Sequence, residues 1–282
     1  MKEYNRDLLN QVQAVDLEMA KYFVKYCEEN GLLCYFCGGG CIGAVRHHGF
    51  IPWDDDLDFF MPRPDYEKLK RIWKDTEKYA LAFPTKTYNN HNIFITLCDK
   101  GTTMIKPYQT DIDMAHGITI DIFPLDGCPS GWRRNLQKIY GLAYQLFCAQ
   151  LVPTNHGKIV EKIGKIGLSI VGNSTLRYYM WRFCEKNMSK YSIDECECIT
   201  EICAGPHYMK NEYPKEIFSS AILMDFEDTK MPIPVGYDEY LKIAFGNYME
   251  LPPKEKQVPQ HDTVIIDPSV SYAKYRGKYY CV

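Results

Sequence analysis

The stretch Pro52-Trp53-Asp54-Asp55-Asp56-Leu57-Asp58-Phe59-Phe60-Met61 decides the fold of this chain. It places four carboxylates within five residues and then turns apolar, which indicates a buried strand rather than a solvated tail. Two like charges about 4 Å apart repel by roughly 1 kcal/mol in water and by about 4 kcal/mol near a protein surface. A bound cation would relieve that repulsion, and hard divalent ions fit best because they take oxygen ligands. An acidic turn with one helix-capping carboxylate, or pairing with Arg46, His47, His48 or Arg63, is the alternative.

The spacing of the acids predicts which of them act together. An extended backbone over residues 56–60 would place Asp54, Asp56 and Asp58 on one face and Asp55 on the other. Asp56 and Asp58 would then lie roughly 6.6 Å apart at the backbone, which suits carboxylates that reach toward two cations. Asp54 lies further out, so we expect an outer ligand, an acceptor behind the ligands or a base. Asp55 is expected to be structural.

A further acid is predicted to complete the set. Asp121 lies in Ile120-Asp121-Ile122, within a strand predicted at residues 117–123 and ended by residues 124–127. An acid between two β-branched residues favours a strand that faces a site, so Asp121 is the best candidate for a third metal ligand beside Asp56 and Asp58. The solvent face of an edge strand is the alternative.

Three glycines precede the acids. Gly38-Gly39-Gly40 lies between a predicted strand at residues 32–37 and a helical turn at residues 41–45. Glycines in that position let backbone N–H groups and a helix N-terminus approach a phosphate closely. Glycines also form ordinary tight turns, so the interpretation depends on the acids that follow.

Composition narrows the class of protein. The chain has 282 residues and a net charge of −3, which argues against a nucleic-acid binder. The N-terminal residues lack the apolar core of a signal peptide, and no apolar run approaches the roughly 18 residues that span a bilayer. We therefore expect a cytoplasmic protein whose twelve cysteines are reduced. Cys196, Cys198 and Cys203 suggest a zinc site, but they lack the usual spacing of a zinc ribbon.

Apolar periodicity predicts a mixture of helices and strands that is typical of an α/β or α+β fold. Helices are predicted at residues 5–30, 65–73 and 237–245 and across most of 130–190, and Gly246 is expected to end the last of them. A strand is predicted at residues 57–61. One hairpin is predicted to join residues 93–97 to 103–105, and a second to join 218–226 to 231–234 around Glu227-Asp228. A polar tail begins at Pro252.

The order of these motifs resembles the polymerase-β-type nucleotidyltransferase fold. More closely, residues 39–58 resemble the signature of the LicD family of phosphotransferases, residues 121–127 resemble its second motif, and residues 227–253 resemble its C-terminal motif. The resemblance covers roughly residues 30–262. One position departs from the pattern, because Gly40 stands where the family usually has Thr or Ser. A contact from that hydroxyl to a phosphate would have to come from backbone N–H groups here.

The resemblance implies a nucleotidyltransferase core with a mixed sheet, a helical insertion and a C-terminal extension. On that basis we expect an N-terminal helix in residues 1–30 and the catalytic core in residues 31–128. A mainly helical insertion would occupy residues 129–210. The hairpin, helix and tail of residues 211–282 would complete the domain.

The resemblance also implies an activity. Family members move phosphocholine from CDP-choline to a sugar hydroxyl of teichoic acid or lipopolysaccharide, with release of CMP, and related eukaryotic enzymes such as fukutin-related protein move ribitol phosphate. The hydroxyl would attack the β-phosphate with the help of two Mg²⁺ or Mn²⁺ ions. The acceptor would be a glycan or lipid-linked glycan, which could bring the enzyme into peripheral contact with the inner face of the membrane. No nucleic-acid partner is expected.

Residue roles follow from the matched motifs. Asp56, Asp58 and Asp121 would be metal ligands, and with Asp54 they would form the catalytic set. Gly38, Gly39, Gly40, Arg46 and Trp53 would bind the donor. A cage for the choline cation could come from Trp53, Tyr108, Tyr178, Tyr179, Trp181 or Tyr208, although aromatic residues at such spacing more often belong to a core. His261 could reach the site from the polar tail, but a lone surface histidine is the simpler expectation.

Three other functions stay open at this point. The enzyme could use another CDP-alcohol, such as CDP-ribitol, CDP-glycerol or CDP-ethanolamine. It could instead transfer a nucleoside monophosphate from a triphosphate. The third alternative is an inactive metal-binding scaffold, against which the intact set of acids argues.

Overall fold

The first apolar stripe forms helix α1 (Arg6–Glu29), as its periodicity predicts. The computed structural model describes residues 5–152 and 158–282, so the first four residues of the expected N-terminal helix and residues 153–157 of the expected insertion lie outside it. Asn5 caps α1 by accepting a hydrogen bond from the Leu8 N–H at 2.8 Å. Gly31 follows the helix with a φ of +57°, a conformation that favours glycine.

The described strands are β1 (Tyr35–Cys37), β2 (Asp58–Pro62), β3 (Tyr79–Ala82), β4 (Ile95–Asp99), β5 (Thr103–Ile105), β6 (Thr119–Cys128), β7 (Cys198–Thr200), β8 (Tyr213–Pro214), β9 (Ala221–Phe226), β10 (Thr229–Pro234) and β11 (Ile265–Asp267). Seven of them form one sheet in the order β1-β2-β6-β4-β3, with β7 paired to β6 and β8 to β7. The β2–β6 pair is parallel and the other pairs in this sheet are antiparallel. The expected mixed sheet of an α+β fold is therefore confirmed.

The described helices are α2 (Gly38–His47), α3 (Arg63–Ile72), α4 (Trp132–Ala149), α5 (Lys158–Ile170), α6 (Ser174–Met188) and α7 (Tyr237–Phe245), together with α1. Short 3-10 helices lie at Pro107–Gln109, Ile202–Ala204, Tyr208–Lys210, Lys215–Phe218, Lys254–Lys256 and Tyr272–Tyr275. The long helices in residues 130–190 confirm the predicted helical region. None of the helices within the described ranges has both the length and the apolar character that a membrane crossing requires.

The main core lies between α1, the sheet and the C-terminal elements. Phe59 of β2 packs its ring 4.9 Å from Phe23 of α1 and 4.8 Å from Phe36 of β1. Phe36 in turn packs 5.0 Å from Phe226 of β9. A second apolar cluster, which includes Tyr144 of α4, joins that helix to α6. All twelve cysteines are free thiols, and most are buried.

The predicted hairpin between β4 and β5 is wrong. Both strands exist, but β4 lies between β3 and β6 in the large sheet, and β5 pairs with β11 from the C-terminal tail. The turn signal at residues 99–101 suggests a hairpin because local sequence does not report pairing partners that are distant in the chain. The strand β3, which the sequence did not predict, takes the place of the missing partner.

Strand β6 is longer than predicted, since it runs through Pro124 to Cys128 instead of ending at residue 123. On one side β6 pairs with β4 only as far as Ile122, and β7 joins only from Asp126. Pro124 therefore lies in the gap between two partners, where its missing N–H leaves no ladder bond unmade on that side. Because β7 lies within residues 129–210, the expected insertion contributes a strand to the sheet.

The C-terminal predictions hold in part. β9 and β10 form the expected hairpin, with Phe226 opposite Thr229 across the two-residue loop. Helix α7 ends at Gly246, whose φ is +69°. The polar tail is not simply an extension, because β11 returns to the body of the protein and pairs with β5.

Candidate active site

Two predicted metal ligands are neighbours at the start of the parallel strand pair. The register of β2 and β6 places Asp58 opposite Asp121. Partners in register direct their side chains to the same face of a sheet, so the two carboxylates share one face. A Cβ atom added at Gly38 would lie 3.9 Å from the Asp58 Oδ2 atom, which puts the start of α2 beside the acids.

The acid loop, residues 54–57, precedes β2 and is not a strand. Helix α1 holds the loop instead, because the Gln13 side-chain amide donates to the Asp54 carbonyl at 2.8 Å. It also lies 3.4 Å from the Ile51 carbonyl, at the start of the same turn.

The carboxylates destabilise one another's charges. Burial raises the pKa of Asp58 well above its usual range, and Asp56, Asp121 and Asp54 raise it further. Burial likewise raises the pKa of Asp54, with Asp56 and Asp55 adding to the effect. The pKa of Asp56 is raised mainly by burial, against the opposing charge of His261. A cation, or protons, must accompany the folded arrangement.

Two buried acids in this region lack hydrogen-bond partners among the described residues. One is Asp121, whose Oδ1 atom is buried and unpaired. The other is Asp16 of α1, which is fully buried with both oxygens unpaired. Burial raises the pKa of Asp16 well above its usual range, followed by the charges of Asp56 and Asp55. Unmade hydrogen bonds of this kind cost about 1–3 kcal/mol each.

Sequence reasoning missed Asp16, although a signal was present. Asp16 follows Val12 by four residues and precedes Met19 by three, so it falls on the apolar stripe of α1. An acid on a buried helix face is unusual and often marks a site.

Lys106 is a second residue that the sequence did not single out. Its Nζ atom lies 4.0 Å from the Asp121 Oδ2 atom, and its side chain is 12% exposed. Burial acts to lower the pKa of Lys106, but Asp121, Tyr108 and the acids of the loop outweigh burial and raise it. The ammonium therefore stays charged. Lys106 follows β5, which pairs with β11 and whose Met104 N–H donates to the His116 carbonyl at 2.6 Å.

His261 reaches the acids, so the expectation of a lone surface histidine is wrong. Its Nδ1 atom lies 3.1 Å from the Asp55 Oδ1 atom, and its Nε2 atom lies 3.6 Å from the Asp56 Oδ2 atom. The backbone N–H groups of Gln260 and His261 also donate to Asp55, at 3.2 and 3.3 Å. Burial acts to lower the pKa of His261, but Asp55 and Asp56 outweigh it and raise the pKa to about 9.

Asp55 holds the tail rather than facing the other acids. Its carboxylate is buried, and burial alone would raise its pKa. The hydrogen bonds from His261 and from the backbone of Gln260 outweigh burial and lower the pKa below its usual range. A charged Asp55 thus fixes residues 260–261 over the acid loop.

The three glycines begin α2 and do not precede it as a separate turn. Gly38 has a φ of +52°, and its N–H donates to the Tyr240 hydroxyl at 3.0 Å. A Cβ atom at Gly39 would lie 2.0 Å from the Asp54 Oδ2 atom, so only glycine lets the helix N-terminus meet that carboxylate. The first N–H groups of a helix have no partner within the helix, which suits an anionic ligand beside Gly39 and Gly40.

Comparison with known proteins identifies the family to which the chain belongs. Residues 31–127 match the family model described as the LicD/FKTN/FKRP nucleotidyltransferase domain. The chain is also 30% identical over 267 residues to the lipopolysaccharide cholinephosphotransferase LicD of Haemophilus influenzae, an alignment that covers 90% of this chain and 96% of that protein. The chain belongs to the LicD family. It is a phosphotransferase enzyme.

In this LicD-family enzyme, Arg46 has a structural role that its motif does not reveal. Its Nη1 atom donates to the backbone carbonyl of Tyr248 at 2.5 Å and lies 3.3 Å from that of Glu250. It thereby ties α2 to the segment that follows α7. Its charge still acts on Asp54, whose pKa it lowers slightly against burial. Trp53 lies in the turn before the acid loop and is half-buried.

The candidate aromatic residues divide into two groups. Tyr178 and Trp181 pack on each other at 5.1 Å, and Trp181 also packs on Tyr144, within the cluster of α4 and α6. Tyr179 is mostly exposed beside Tyr178. Tyr108 lies near the acids, because burial and then the charges of Lys106 and Asp121 act on its pKa.

Tyr208 completes the group near the acids, because Asp58 contributes to raising its pKa after burial and Glu201. Among the described residues, Cys196, Cys198 and Cys203 do not gather into a group with metal-ligand spacing.

One cavity of the enzyme lies away from the acids. A cavity of about 650 Å³ is lined by residues such as Pro62, Leu125, Tyr191 and Lys215, at the opposite end of β2 and β6 from Asp58. It contains none of the residues predicted for the site. The candidate active site therefore rests on the cluster of charged residues and not on this cavity.

Proposed function

We propose that this enzyme transfers phosphocholine from CDP-choline to a sugar hydroxyl of a cell-surface glycan, of the lipopolysaccharide or teichoic acid type, with release of CMP. The proposal is supported by the near-complete alignment with a lipopolysaccharide cholinephosphotransferase. The observation that carries it is the pairing of Asp58 with Asp121 beside the glycine-rich start of α2. Carboxylates and free N–H groups on one face are what a diphosphate and its cations require.

The residues present fit a divalent metal centre. Asp121 has a buried, unpaired carboxylate oxygen, and burial and like charges raise the pKa of Asp58. An all-oxygen donor set of this kind suits Mg²⁺ or Mn²⁺. Asp56, Asp58 and Asp121 would hold the ions. When bound, two such ions neutralise the charge of the diphosphate and favour the ionised acceptor hydroxyl.

The other residues position the donor and move the proton. The N–H groups of Gly39 and Gly40 would bind the diphosphate, in place of the hydroxyl that the family usually has at position 40. The sugar oxygen attacks the β-phosphorus, the bond from that phosphorus to the bridging oxygen breaks, and CMP leaves with the bridging oxygen. The proton of the hydroxyl passes to a carboxylate, for which Asp54 is the candidate. Lys106, near Asp121, would stabilise the negative charge of the transferred group.

The choline group requires apolar and aromatic surroundings. Asp121 acts on the pKa of Tyr108 and Asp58 acts on that of Tyr208, so these two rings are the candidates for contact with a donor bound at the acids. A ring face in contact with a quaternary ammonium contributes about 0.5–2 kcal/mol. A lipid-linked acceptor would bring the enzyme to the inner face of the membrane.

The test is CMP release with a panel of donors at equal concentration and a common glycan acceptor. CDP-choline should exceed CDP-ethanolamine, and the neutral CDP-glycerol and CDP-ribitol should be poor donors. Replacing Tyr108 with Leu should reduce the preference for choline by roughly tenfold, the equivalent of about 1.4 kcal/mol. Tyr178→Leu is the matched control, since Tyr178 packs against α4, and it should leave the preference unchanged.

Each alternative gives a different result in the same assay. A preference for CDP-ribitol or CDP-glycerol would retain the phosphotransferase and overturn the choline donor. Pyrophosphate release from CTP, with label transferred to the acceptor, would favour a nucleotidyltransferase. No turnover with any donor in the presence of Mg²⁺ and Mn²⁺ would favour the inactive scaffold.

A further inference from the structure

The C-terminal tail places the imidazole of His261 beside the acid loop. β11 pairs with β5, and the Val264 N–H donates to the Ile105 carbonyl at 2.8 Å, so the tail is anchored a few residues after His261. Before that anchor, Asp55 accepts hydrogen bonds from the backbone of residues 260 and 261. The backbone at His261 and the chain that follows it are therefore both held in place.

The orientation of the ring is specific. The Nδ1 atom lies 3.1 Å from the Asp55 Oδ1 atom, at hydrogen-bond distance. The Nε2 atom is then directed toward Asp56, at 3.6 Å from its Oδ2 atom, and a cation bound there would take the place of the Nε2 proton. A histidine that binds a metal usually donates its other N–H to a carboxylate in this way.

The gap between His261 and Asp56 fits a shared cation. A distance of 3.6 Å exceeds the roughly 2.7–3.2 Å of an N–H···O hydrogen bond. Two atoms that bind one cation at about 2.1 Å lie roughly 3.0–3.4 Å apart, so a shift of a few tenths of an ångström would complete the site. Ligand atoms of Asp55, Asp56 and His261 lie within 4.8 Å of one another.

A buried charge behind this group points to the same ligand. Asp16 is fully buried and both of its oxygens lack a hydrogen-bond partner among the described residues. It lies one turn after Gln13, whose amide binds the backbone of the acid loop, so the same face of α1 backs the loop. The charges that act most strongly on Asp16 are those of Asp56 and Asp55. Asp16 has no ion-pair partner among the described residues, and a cation on Asp56 would favour its ionised form.

We propose that Asp56 and His261 form a divalent cation site, in which Asp55 orients the imidazole and Asp16 adds negative charge from behind. The inference rests on the metal dependence proposed above, and it assigns one ion a nitrogen ligand from the tail. Mg²⁺ prefers oxygen ligands and retains water, whereas imidazole favours first-row transition ions. The site should therefore select Mn²⁺-type ions over Mg²⁺ and tie the tail to the acid loop.

The test uses Mn²⁺ as the probe and electron spin-echo envelope modulation as the readout. Mn²⁺ bound to the full-length protein should show modulation from a directly bound ¹⁴N nucleus, and labelling the histidines with ¹⁵N should change that pattern in the unaltered protein. His261→Gln should abolish the nitrogen signal and weaken Mn²⁺ binding by about 10–100-fold, with little change for Mg²⁺. His207→Gln, at an exposed histidine, is the control and should change neither.

The outcomes separate this inference from the proposed function. If Mn²⁺ binds and supports CMP release but shows no nitrogen modulation, the metal-dependent function stands and the His261 site is wrong. Nitrogen modulation that persists in His261→Gln would also overturn the site. If Mn²⁺ does not bind at all, as judged by the free-ion spectrum, the proposed metal dependence fails together with this inference.

Discussion

Acids lie at both ends of the parallel pair β2 and β6, and the charges around them differ between the two ends. At the starting end, Asp58 lies opposite Asp121 with further carboxylates around them. At the far end, Asp126 is fully buried and is held by Arg63, with Nε to Oδ1 at 2.7 Å and Nη2 to Oδ2 at 2.6 Å. One end pairs like charges, and the other end forms a bidentate ion pair.

This difference indicates a structural role for the Asp126 end and a ligand-binding role for the Asp58 end. Burial acts to lower the pKa of Arg63, but the Asp126 carboxylate outweighs it and raises the pKa. Burial also raises the pKa of Asp126, and Arg63 opposes that rise, so the two hydrogen bonds to the guanidinium are what hold this buried acid. Among the described residues Asp121 itself has one ion-pair partner, Lys106 at 4.0 Å, and one of its carboxylate oxygens is buried and unpaired. A buried acid that is paired within the fold has a structural role. A buried acid without a hydrogen-bond or ion-pair partner is instead a candidate for binding a ligand.

The largest expected effect breaks the chemistry at one end alone. Asp58→Asn should reduce CMP release on the order of 10³-fold, because it removes a carboxylate that is proposed to hold metal. Stability in the absence of metal should equal or exceed that of the unaltered protein, since one repulsive charge is gone. Steady-state kinetics and urea unfolding measure the two properties. Unchanged turnover in Asp58→Asn would contradict the assignment of this end as the catalytic one.

The next effect breaks the structure at the other end. Asp126→Asn should destabilise the protein by about 3–5 kcal/mol, because it removes the bidentate partner of the buried Arg63 guanidinium and leaves, among the described acids, only Glu67 at 3.5 Å and Glu185 at 4.0 Å. The double variant Arg63→Met with Asp126→Leu should recover much of that loss, since both members of the bidentate pair are then apolar. Urea unfolding in the absence of metal gives both values. Equal losses in the single and double variants would mean that packing, rather than charge, holds this end.

The sequence alone predicted the acids at the Asp58 end but not the ion pair at the Asp126 end. The crowded motif of residues 54–58 and the isolated Asp121 indicated a metal-binding site without any structure, because their repulsion is a local property. The register that places Asp58 opposite Asp121 was not predicted, because local sequence shows neither that β2 and β6 are parallel neighbours nor how they align. Helix α1 and the β9–β10 hairpin were predictable from short-range periodicity.

What the sequence could not reveal depends on contacts between distant segments. His261 reaches the site from the tail that β11 anchors to β5, and Lys106 directly follows β5. No local pattern encodes that pairing. The same pairing explains why the β4–β5 hairpin was wrong. The ion pair of Arg63 and Asp126 spans 63 residues, so Arg63 looked like one of several cations near the acids.

A metal ion should sharpen the contrast between the two ends. Mn²⁺ at about 100 times its dissociation constant should stabilise the protein by roughly 2.7 kcal/mol, and EDTA should reverse this and stop CMP release. Asp56→Asn should reduce the stabilisation, whereas a conservative change at the other end, Glu67→Gln, should not. Differential scanning fluorimetry with and without Mn²⁺ measures the shift. A melting temperature that does not respond to millimolar Mn²⁺ or Mg²⁺ would show that metal is not what neutralises the acid cluster.

The smallest expected effect concerns a third kind of buried acid, which is satisfied by neutral donors. Glu201 accepts hydrogen bonds from the Tyr213 hydroxyl and from the Asn211 amide, the latter at 3.1 Å. Burial raises its pKa to about 7, and those two donors oppose the rise only in part. Between its ordinary pKa of 4.5 and 7, the folded protein binds this proton more tightly than the unfolded chain does. Its contribution to stability is therefore complete below about pH 4.5 and is lost as the pH rises through about 7.

The substitution Glu201→Gln isolates that contribution, because the amide oxygen can accept both hydrogen bonds while carrying no charge. From about pH 5 to pH 8, the unaltered protein should lose roughly 2 kcal/mol of unfolding free energy relative to the Glu201→Gln variant. Urea unfolding of both proteins at several pH values, without metal, gives the difference and cancels the titration of the acid cluster they share. Parallel pH profiles would mean that the Tyr213 and Asn211 donors keep Glu201 ionised. Neutral donors would then be as effective as the Arg63 guanidinium in holding a buried charge, and a missing cation would no longer distinguish the catalytic end of β2 and β6.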